Sequence, residues 1–184
     1  MEHNRYIYAI AVVIVAMLAT AIGTGAWRSR SHEVVLPVTI EGESLSALTT
    51  VHGLLEVQNM IPYPPSLWSN SQQLLYRSSV GDQVAVGFSL DRKDTYEIWG
   101  QFTKGQDFAY GQFSLDGEAL GEPINFYHPT VLRSDRILLG TMKLSEGSHT
   151  FMIKINQIDP QARPVYAGFY ALGVDYLEFD PVKK

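Results

Sequence analysis

The sequence contains no cysteine, which excludes disulfide bonds, thiolate metal sites and cysteine nucleophiles. Basic residues are also sparse. Only 14 of the 184 residues are Lys or Arg, and they form no basic run interleaved with aromatic side chains. Proteins bind nucleic acids through such positively charged surfaces, so a nucleic acid partner is not expected. The net charge of -5 and the hydrophobic content of 46% are ordinary for one globular domain with a short additional segment.

Signatures of catalysis are missing as well. The sequence has neither a Gly-x-Ser-x-Gly elbow around a serine nucleophile nor a glycine-rich phosphate loop. Two acidic pairs, Glu41 with Glu43 and Asp91 with Asp94, fall at predicted turns and ends, where solvation explains them. The five histidines lack the spacing of zinc ligands: His3, His32, His52, His128 and His149. The sequence therefore predicts a protein without enzymatic activity.

A period-two alternation of apolar with polar or aromatic residues is the clearest structural signal. It runs through residues 94–103, pauses at a turn over 104–107 and resumes over 109–116. Such alternation is typical of half-buried strands. The pair Asp116-Gly117 suits the positive φ angles of a tight hairpin turn. We therefore expect the two segments to pair as a hairpin in the middle of a β-sandwich.

Short segments of the same kind, separated by Gly, Asp and Pro turns, continue through the domain. Their predicted inward residues include Val84, Val86, Phe88, Leu90, Phe151, Ile153 and Ile155. Closing strands are expected over residues 168–179. Because helical periodicity is almost absent, the pattern predicts an all-β fold, an antiparallel β-sandwich or jelly roll. The run 61–68 contains three prolines and is predicted to be a surface loop that carries Tyr63 and Trp68.

The N-terminal segment 6–27 contains no charged residue and is long enough to cross a bilayer. We predict that it is a transmembrane helix, an anchor between a tail at 1–5 and a polar linker at 28–40. A signal peptide is the alternative, because residues 19–21 resemble a small-residue cleavage site. Small side chains would let the anchor approach other membrane helices closely: Ala16, Ala19, Thr20, Gly23 and Gly25.

Motifs within the predicted folded domain, residues 41–180, agree in order and spacing with those of one family. They are Gly81-Asp82-Gln83-Val84, Asp94-Thr95-Tyr96-Glu97-Ile98, Phe113-Ser114-Leu115-Asp116-Gly117, residues 139–150 and Val174-Asp175-Tyr176-Leu177-Glu178-Phe179. On these residues the sequence resembles the galactose-binding-like β-sandwiches of the carbohydrate-binding-module type that are appended to bacterial glycoside hydrolases. The resemblance spans residues 41–179 and leaves a short tail at 181–184. It implies a fold, and a fold alone does not fix a function.

The location follows from the anchor and the resemblance together. Arg5 precedes the segment while Arg28 and Arg30 follow it, a small difference that favours a cytoplasmic domain. The resemblance to exported modules favours the opposite side. We expect a single-pass protein of a bacterial inner membrane with its domain on the periplasmic side.

The resemblance also implies a metal site. Related modules often hold a structural calcium ion between acidic residues near the start of the domain and on its last strand. The matching positions here are Glu41, Glu43, Asp175 and Asp180. Calcium takes six or more oxygen ligands, which carboxylates and carbonyls supply. The alternative is that Glu41 and Glu43 are simply solvated at the domain edge. No other cofactor is expected.

A sugar site requires an aromatic plane for the face of a pyranose, with amides or carboxylates nearby for its hydroxyls. Trp99 and Tyr110 are expected to lie on one outward sheet face. For each aromatic residue, the alternative is a role in closing the end of the sandwich or in docking a protein. The candidate ligand-binding or partner-binding residues are Trp68, Trp99, Tyr110, Gln112, Asn125, Tyr127 and Tyr170, supported by Asp107.

Two functions fit these observations. In the first, the chain is a non-catalytic, membrane-anchored accessory subunit whose β-sandwich docks on and stabilises a larger membrane protein complex. In the second, it is a carbohydrate-binding, lectin-like module held at the cell surface, with a glycan as its partner. The anchor and the lack of a catalytic domain favour the first function, which is our prediction, and the resemblance favours the second.

Overall fold

The computed structural model describes residues 36–49, 52–63, 67–164 and 167–183. The predicted anchor at 6–27, the tail before it and most of the linker lie outside these ranges. Within the described part of the chain, no helix is long and apolar enough to span a membrane.

The described residues form twelve strands and two single-turn 3-10 segments, at Gly42–Ser44 and Ser69–Ser71. The strands are β1 (Val38–Glu41), β2 (Ser46–Ala47), β3 (Leu54–Asn59), β4 (Gln72–Ser78), β5 (Gln83–Leu90), β6 (Asp94–Lys104), β7 (Tyr110–Leu115), β8 (Glu118–Asn125), β9 (Leu132–Arg133), β10 (Ile137–Leu144), β11 (Gly147–Gln157) and β12 (Tyr170–Pro181). The predicted all-β architecture is confirmed.

These strands form two antiparallel sheets. The seven-stranded sheet has the order β10-β6-β12-β4-β3, with β1 beside β12 and β9 beside β6. The five-stranded sheet has the order β2-β5-β11-β7-β8. Apart from the consecutive pairs β3–β4 and β7–β8, the paired strands are far apart in sequence, so the sheets are built mainly by long-range pairing, which slows folding.

The core lies between the two sheets. It is built from the inward-facing residues of strands in which inward and outward residues alternate. Its centre is aromatic: the ring of Phe113 stacks on Phe102 of the opposite sheet at a centroid distance of 4.9 Å and on Phe151 at 5.4 Å. All three side chains are at most 1% exposed. Burying rings of this size accounts for much of the hydrophobic stabilisation of a small sandwich.

The expected hairpin of residues 94–103 with 109–116 is wrong. β6 lies in the seven-stranded sheet and β7 in the five-stranded sheet, so the intervening loop carries the chain across the sandwich. The alternation in both strands reports which face is buried and contains no information on the partner strand. The turn at Asp116-Gly117 is confirmed, with φ angles of 50° and 87°, and it joins β7 to β8.

Other segments differ in extent from the prediction. The sequence over 121–135 predicts a long connection, but this stretch contains the end of β8 and all of β9. The glycine at position 140 predicts a pair of strands over 137–144. The structure has the single strand β10 there, and its register on β6 shifts between Leu138 and Gly140. β1 begins at Val38 and β12 ends at Pro181, so the strands reach slightly beyond the predicted limits of 41 and 180.

Candidate ligand-binding pocket

The structure distributes the sequence-predicted binding residues over several surfaces. Trp99 projects from the outer face of β6, whereas Tyr110 and Gln112 project from the outer face of β7. The expectation that Trp99 and Tyr110 share a sheet face is therefore wrong, because their strands belong to opposite sheets whose outer faces point away from each other.

Trp99 already has a partner within the chain. The guanidinium of Arg136 lies 4.1 Å from the centroid of its ring, a cation–π contact. Arg136 also pairs with Glu178, and its Nη2 lies 3.9 Å from Oδ2 of Asp180. The ring is thus covered by a side chain of this chain, and Asp180 is engaged on the outer face of the sheet.

The candidate amides have structural partners as well. Nε2 of Gln112 donates to the carbonyls of Phe113 and Gly121, each at 3.2 Å. Asn125 donates to Oδ2 of Asp159 at 2.9 Å and accepts the backbone N–H of Tyr127 at 2.9 Å. These bonds shape the end of the five-stranded sheet.

The two remaining tyrosines differ in their surroundings. Tyr127 is half-buried and forms an isolated backbone bridge with Gly105. Tyr170 begins β12 opposite Ser78 and packs against the core. Neither residue lines the pocket described below.

Trp68 is 4% exposed, so it is inaccessible as a stacking plane for a ligand. Its position agrees with the alternative in which it closes the sandwich. Its indole Nε1 donates to the hydroxyl of Thr103 at 2.8 Å, and Thr103 donates to Oε1 of Gln73. Nε2 of Gln73 then donates to Oε1 of Gln58 at 2.6 Å. We call these four side chains the polar row.

The polar row has one direction. An indole N–H can only donate a hydrogen bond. The Thr103 hydroxyl therefore accepts from Trp68 and donates its own hydrogen bond to Gln73. The same logic continues to Gln58, whose Oε1 is occupied by Gln73. The amide nitrogen of Gln58 therefore ends the row as an oriented donor.

A small pocket of about 30 Å³, part of it open to solvent, lies beside the polar row. β3, β4, β6 and the segments that follow β3 and β6 provide most of its wall. Its polar residues are Gln58, Gln73, Arg77, Thr103 and Asp107. Its apolar and aromatic residues are Met60, Tyr63, Phe108 and Val131. The lining thus combines side chains that can form hydrogen bonds with side chains that offer apolar contact.

Arg77 provides the only positive charge on the pocket wall that the structure describes. Its Nη2 lies 3.3 Å from Oδ2 of Asp107, and its Nη1 lies 3.8 Å from Oε1 of Glu56. Asp107 is 5% exposed, whereas Nε of Arg77 is buried without a hydrogen-bond partner. A buried donor that lacks a partner costs free energy.

A cluster of three carboxylates lies elsewhere, where the 3-10 turn Gly42–Ser44 packs on β12. Asp175 is fully buried, and its Oδ1 accepts the backbone N–H of Ser69 at 2.8 Å. Its Oδ2 lies 3.5 Å from Nη1 of Arg133 but has no hydrogen-bond partner. Oε2 of Glu41 and Oε2 of Glu43 are also buried without partners. One buried oxygen of each of these three carboxylates therefore has no hydrogen-bond partner.

The donor chemistry of this cluster fits calcium, which prefers carboxylate oxygens. Asp180 is not part of it, because that side chain lies beside Arg136. Among the described residues, no group of three or more acidic, histidine or cysteine side chains is already arranged to hold a metal ion.

Burial raises the pKa of Asp175 to about 6 from the ordinary 3.8. The N–H of Ser69 and the charge of Arg133 lower this pKa, whereas the charge of Glu41 raises it. Without a cation, the ionised carboxylate is consequently a source of instability at neutral pH.

We expect the cation-free protein to lose stability relative to Asp175→Asn as the pH rises from about 4 to about 6. The folded-state pKa lies above the ordinary value, so in this interval the folded protein binds more protons than the unfolded chain. The stabilisation is complete below about pH 4 and is lost as the pH passes about 6. Thermal unfolding of both proteins in EDTA measures the effect. A difference in melting temperature that does not change with pH would contradict it.

The geometry can now be compared with known proteins. No protein-family model and no curated protein matches the sequence. The structure is similar to that of a Paenibacillus xanthan lyase, with a TM-score of 0.66 and 19% identity over 78% of this chain and 13% of that one. It is also similar to a family 35 carbohydrate-binding module from Clostridium thermocellum, with a TM-score of 0.50 and 15% identity over 80% of this chain and 100% of that one.

The chain folds as a β-sandwich of the carbohydrate-binding-module type. The resemblance predicted from the sequence is thereby confirmed for the fold. A Podospora anserina GH26-CBM35 β-(1,4)-mannanase is a further similar structure, with a TM-score of 0.51 and 14% identity over 80% of this chain and 28% of that one. The module thus spans only about an eighth of the xanthan lyase and about a quarter of the mannanase.

Sequence reasoning missed most of the pocket of this module. Arg77 does carry a signal in the sequence, since it follows the apolar run Leu74-Leu75-Tyr76 inside a strand, where a charge needs a partner. Gln58 and Gln73 carry no such signal, because surface strands contain glutamine routinely. Asp107 was named, and the structure places it in the pocket wall.

Breaking the polar row is expected to destabilise the module. Trp68→Phe removes the indole donor, and Thr103→Val removes the hydroxyl that connects Trp68 to Gln73. Each change should lower the free energy of unfolding by about 1–3 kcal/mol, because a buried polar group loses its partner. The double variant should show a coupling energy of at least about 0.5 kcal/mol in urea unfolding. Thr39→Val, at an exposed threonine of β1, is the matched control. If the losses of unfolding free energy in the two single variants simply add in the double variant, the hydrogen-bonded polar row is contradicted.

Proposed function

We propose that the described domain is a non-catalytic module that binds a carbohydrate at the pocket beside the polar row. The observation that carries the proposal is the pairing of Arg77 with Asp107 in a pocket that also contains Tyr63. A guanidinium, a carboxylate and the amide of Gln58 supply the donors and acceptors that hydroxyl groups require. The half-buried ring of Tyr63 supplies an apolar plane at the same site.

The fold supports this proposal over docking on a membrane complex. Solved structures with this fold include a carbohydrate-binding module as a separate domain. The membrane-anchored accessory role, with its bilayer and subunit partners, stays a prediction from residues 6–27, which lie outside the described ranges. We likewise propose the periplasmic side of a bacterial inner membrane on the sequence alone.

We also propose calcium as a structural cofactor held by Glu41, Glu43 and Asp175. The support is the three buried carboxylate oxygens that have no hydrogen-bond partner. When bound, calcium would supply positive charge that neutralises these carboxylates. Each carboxylate would then hold the turn at Gly42–Ser44 against β12.

Affinity electrophoresis of the full chain through gels that contain soluble polysaccharides tests the proposed function. We expect retardation by at least one glycan, and its loss in Tyr63→Ala and Arg77→Gln. Trp99→Ala and Tyr110→Ala are matched aromatic controls away from the pocket, and both should stay retarded. Absence of retardation by every polysaccharide would overturn carbohydrate binding. Loss of retardation only in the Trp99 or Tyr110 variant would place the binding site on the sheet face that carries that residue.

A further inference from the structure

We propose that β3 pairs antiparallel with β3 of a second copy of this chain, across a two-fold axis at Val57. The seven-stranded sheets of the two copies would then form one continuous sheet. This inference concerns a sheet edge and goes beyond the proposed carbohydrate binding. A two-fold contact uses the same surface on both copies, so β3 must be complementary to itself.

The other strands at the sheet borders are short or carry features that oppose pairing. β1, β2 and β9 have at most four residues each. β10 contains Lys143, and its register on β6 is irregular. β8 contains Pro123, and its register on β7 is irregular as well. Natural proteins use such features to prevent an edge strand from pairing with another chain.

β3 lacks these features. It has six residues, contains no proline or lysine, and keeps an uninterrupted register on β4 from Leu54 to Asn59. Among the strands that the structure describes, none lies on its other side. Val57 is 49% exposed, and the charge of Glu56 lies 3.8 Å from Nη1 of Arg77. The backbone groups along such an edge are a template for a further strand.

Side-chain alternation limits how two copies of β3 can pair. Leu55 packs against the core, so Val57 lies on the core side of the strand, and Glu56 and Gln58 lie on the outer side. Residues directly opposite each other in a continuous antiparallel sheet lie on the same side of it. The two-fold axis must therefore pass through a residue of β3 and cannot pass between two residues.

Charge then selects the axis. An axis at Glu56 pairs residues 54–58, an axis at Val57 pairs residues 55–59, and any other axis pairs fewer residues. The axis at Glu56 places two carboxylates directly opposite each other, which is unfavourable. The axis at Val57 places the two valines opposite each other and Glu56 opposite Gln58 of the second copy. Apolar and polar residues thus each meet a suitable partner.

The contacts of Gln58 and Glu56 within one copy are compatible with this pairing. Oε1 of Gln58 accepts from Nε2 of Gln73 at 2.6 Å on the β4 side, and the amide nitrogen of Gln58 is a donor. The distance of 3.8 Å between Glu56 and Arg77 is longer than a hydrogen bond, so the carboxylate keeps acceptor capacity. The two-fold axis would form the pair of Gln58 with Glu56 twice.

Disulfide cross-linking of the full chain in a non-ionic detergent tests the pairing, because the natural sequence contains no cysteine. Cβ atoms of directly opposite residues lie about 4.5–5.5 Å apart, close to the separation that a disulfide requires. With copper phenanthroline as the oxidant, we expect Val57→Cys to form linked dimers at least about tenfold faster than Thr141→Cys. Paired strands hold the two thiols at a high effective concentration. Thr141 is an exposed residue of β10, so its variant is the control for association through any other surface.

A second pair of variants tests the register. Glu56→Cys should link slowly to itself and rapidly to Gln58→Cys when the two variants are mixed, since these positions lie opposite each other. Faster self-linking of Glu56→Cys than of Val57→Cys would overturn the axis at Val57. Linking of Val57→Cys no faster than that of Thr141→Cys would overturn the proposal, as expected if β3 pairs instead with a strand of another protein. Circular dichroism checks that each variant is folded. Retardation by polysaccharides is a separate measurement, so failure of the cross-linking leaves carbohydrate binding intact.

Discussion

Calcium is expected to raise the melting temperature of the chain by about 5–10 °C when its concentration is about a hundred times the dissociation constant. At that ratio a ligand that binds only the folded state contributes about 2.7 kcal/mol. The physical source is the cluster of Glu41, Glu43 and Asp175, where three buried carboxylate oxygens lack donors. Differential scanning calorimetry in EDTA and in calcium, at pH 7.5, measures the shift.

Two variants assign the shift to this cluster. Asp175→Asn keeps the side-chain oxygen that accepts from Ser69 but removes the charge, so the calcium response should nearly vanish. Asp180→Asn is the matched control on the same strand, because Asp180 lies beside Arg136 and outside the cluster. Magnesium, which prefers a tighter octahedral site, should stabilise the wild type less. A wild-type melting temperature that does not change with calcium would contradict the assignment, as would loss of the calcium response in Asp180→Asn.

The carboxylate cluster and the pocket share one segment of chain. Ser69 donates its N–H to Asp175, and its neighbour Trp68 begins the polar row through Thr103. A cation at the cluster would therefore stabilise the backbone at Trp68 and Ser69, where the polar row begins. The row in turn orients the amide of Gln58 at the pocket. A bound cation and a bound ligand would thus be linked through the adjacent residues Trp68 and Ser69.

The strands could be predicted wherever the signal is local. Alternation in β6, β7 and β11 depends only on which side chains face the core, and the pair Asp116-Gly117 depends only on its own φ angles. Strand partners depend on the whole chain. The loop after β6 could fold the chain back onto β6 or carry it to the second sheet, and no residue within it distinguishes these paths.

The pocket could not be predicted because its residues meet only after the strands of the seven-stranded sheet pair and the loops beside them fold. Gln58, Arg77 and Asp107 come from separate segments and have no shared spacing in sequence. Aromatic residues were a misleading guide. Trp68 is buried as a donor in the polar row, and Trp99 is covered by Arg136. A sequence does not distinguish an exposed aromatic side chain from one that is buried or covered by other residues of the same chain.

A methyl group at Gly42 is expected to cost about 3 kcal/mol of unfolding free energy, the upper part of the usual range for overpacking. A Cβ there would lie 2.1 Å from the carbonyl oxygen of Val174 and 2.8 Å from that of Asp175. The backbone nitrogen of Leu74 would be 3.0 Å away. All three are main-chain atoms of paired strands, so no side chain can rotate to make room.

Gly140→Ala is the matched control for this prediction. A Cβ at Gly140 would meet only Cδ2 of Leu120, at 3.3 Å, and that methyl can move. Urea unfolding should therefore show a large loss for Gly42→Ala and a small one for Gly140→Ala, with similar m-values. Comparable stability of the two variants would contradict the close packing at Gly42. Since Glu41 and Glu43 flank Gly42, the same displacement should also weaken the calcium response, and a full response in Gly42→Ala would separate the cluster from this turn.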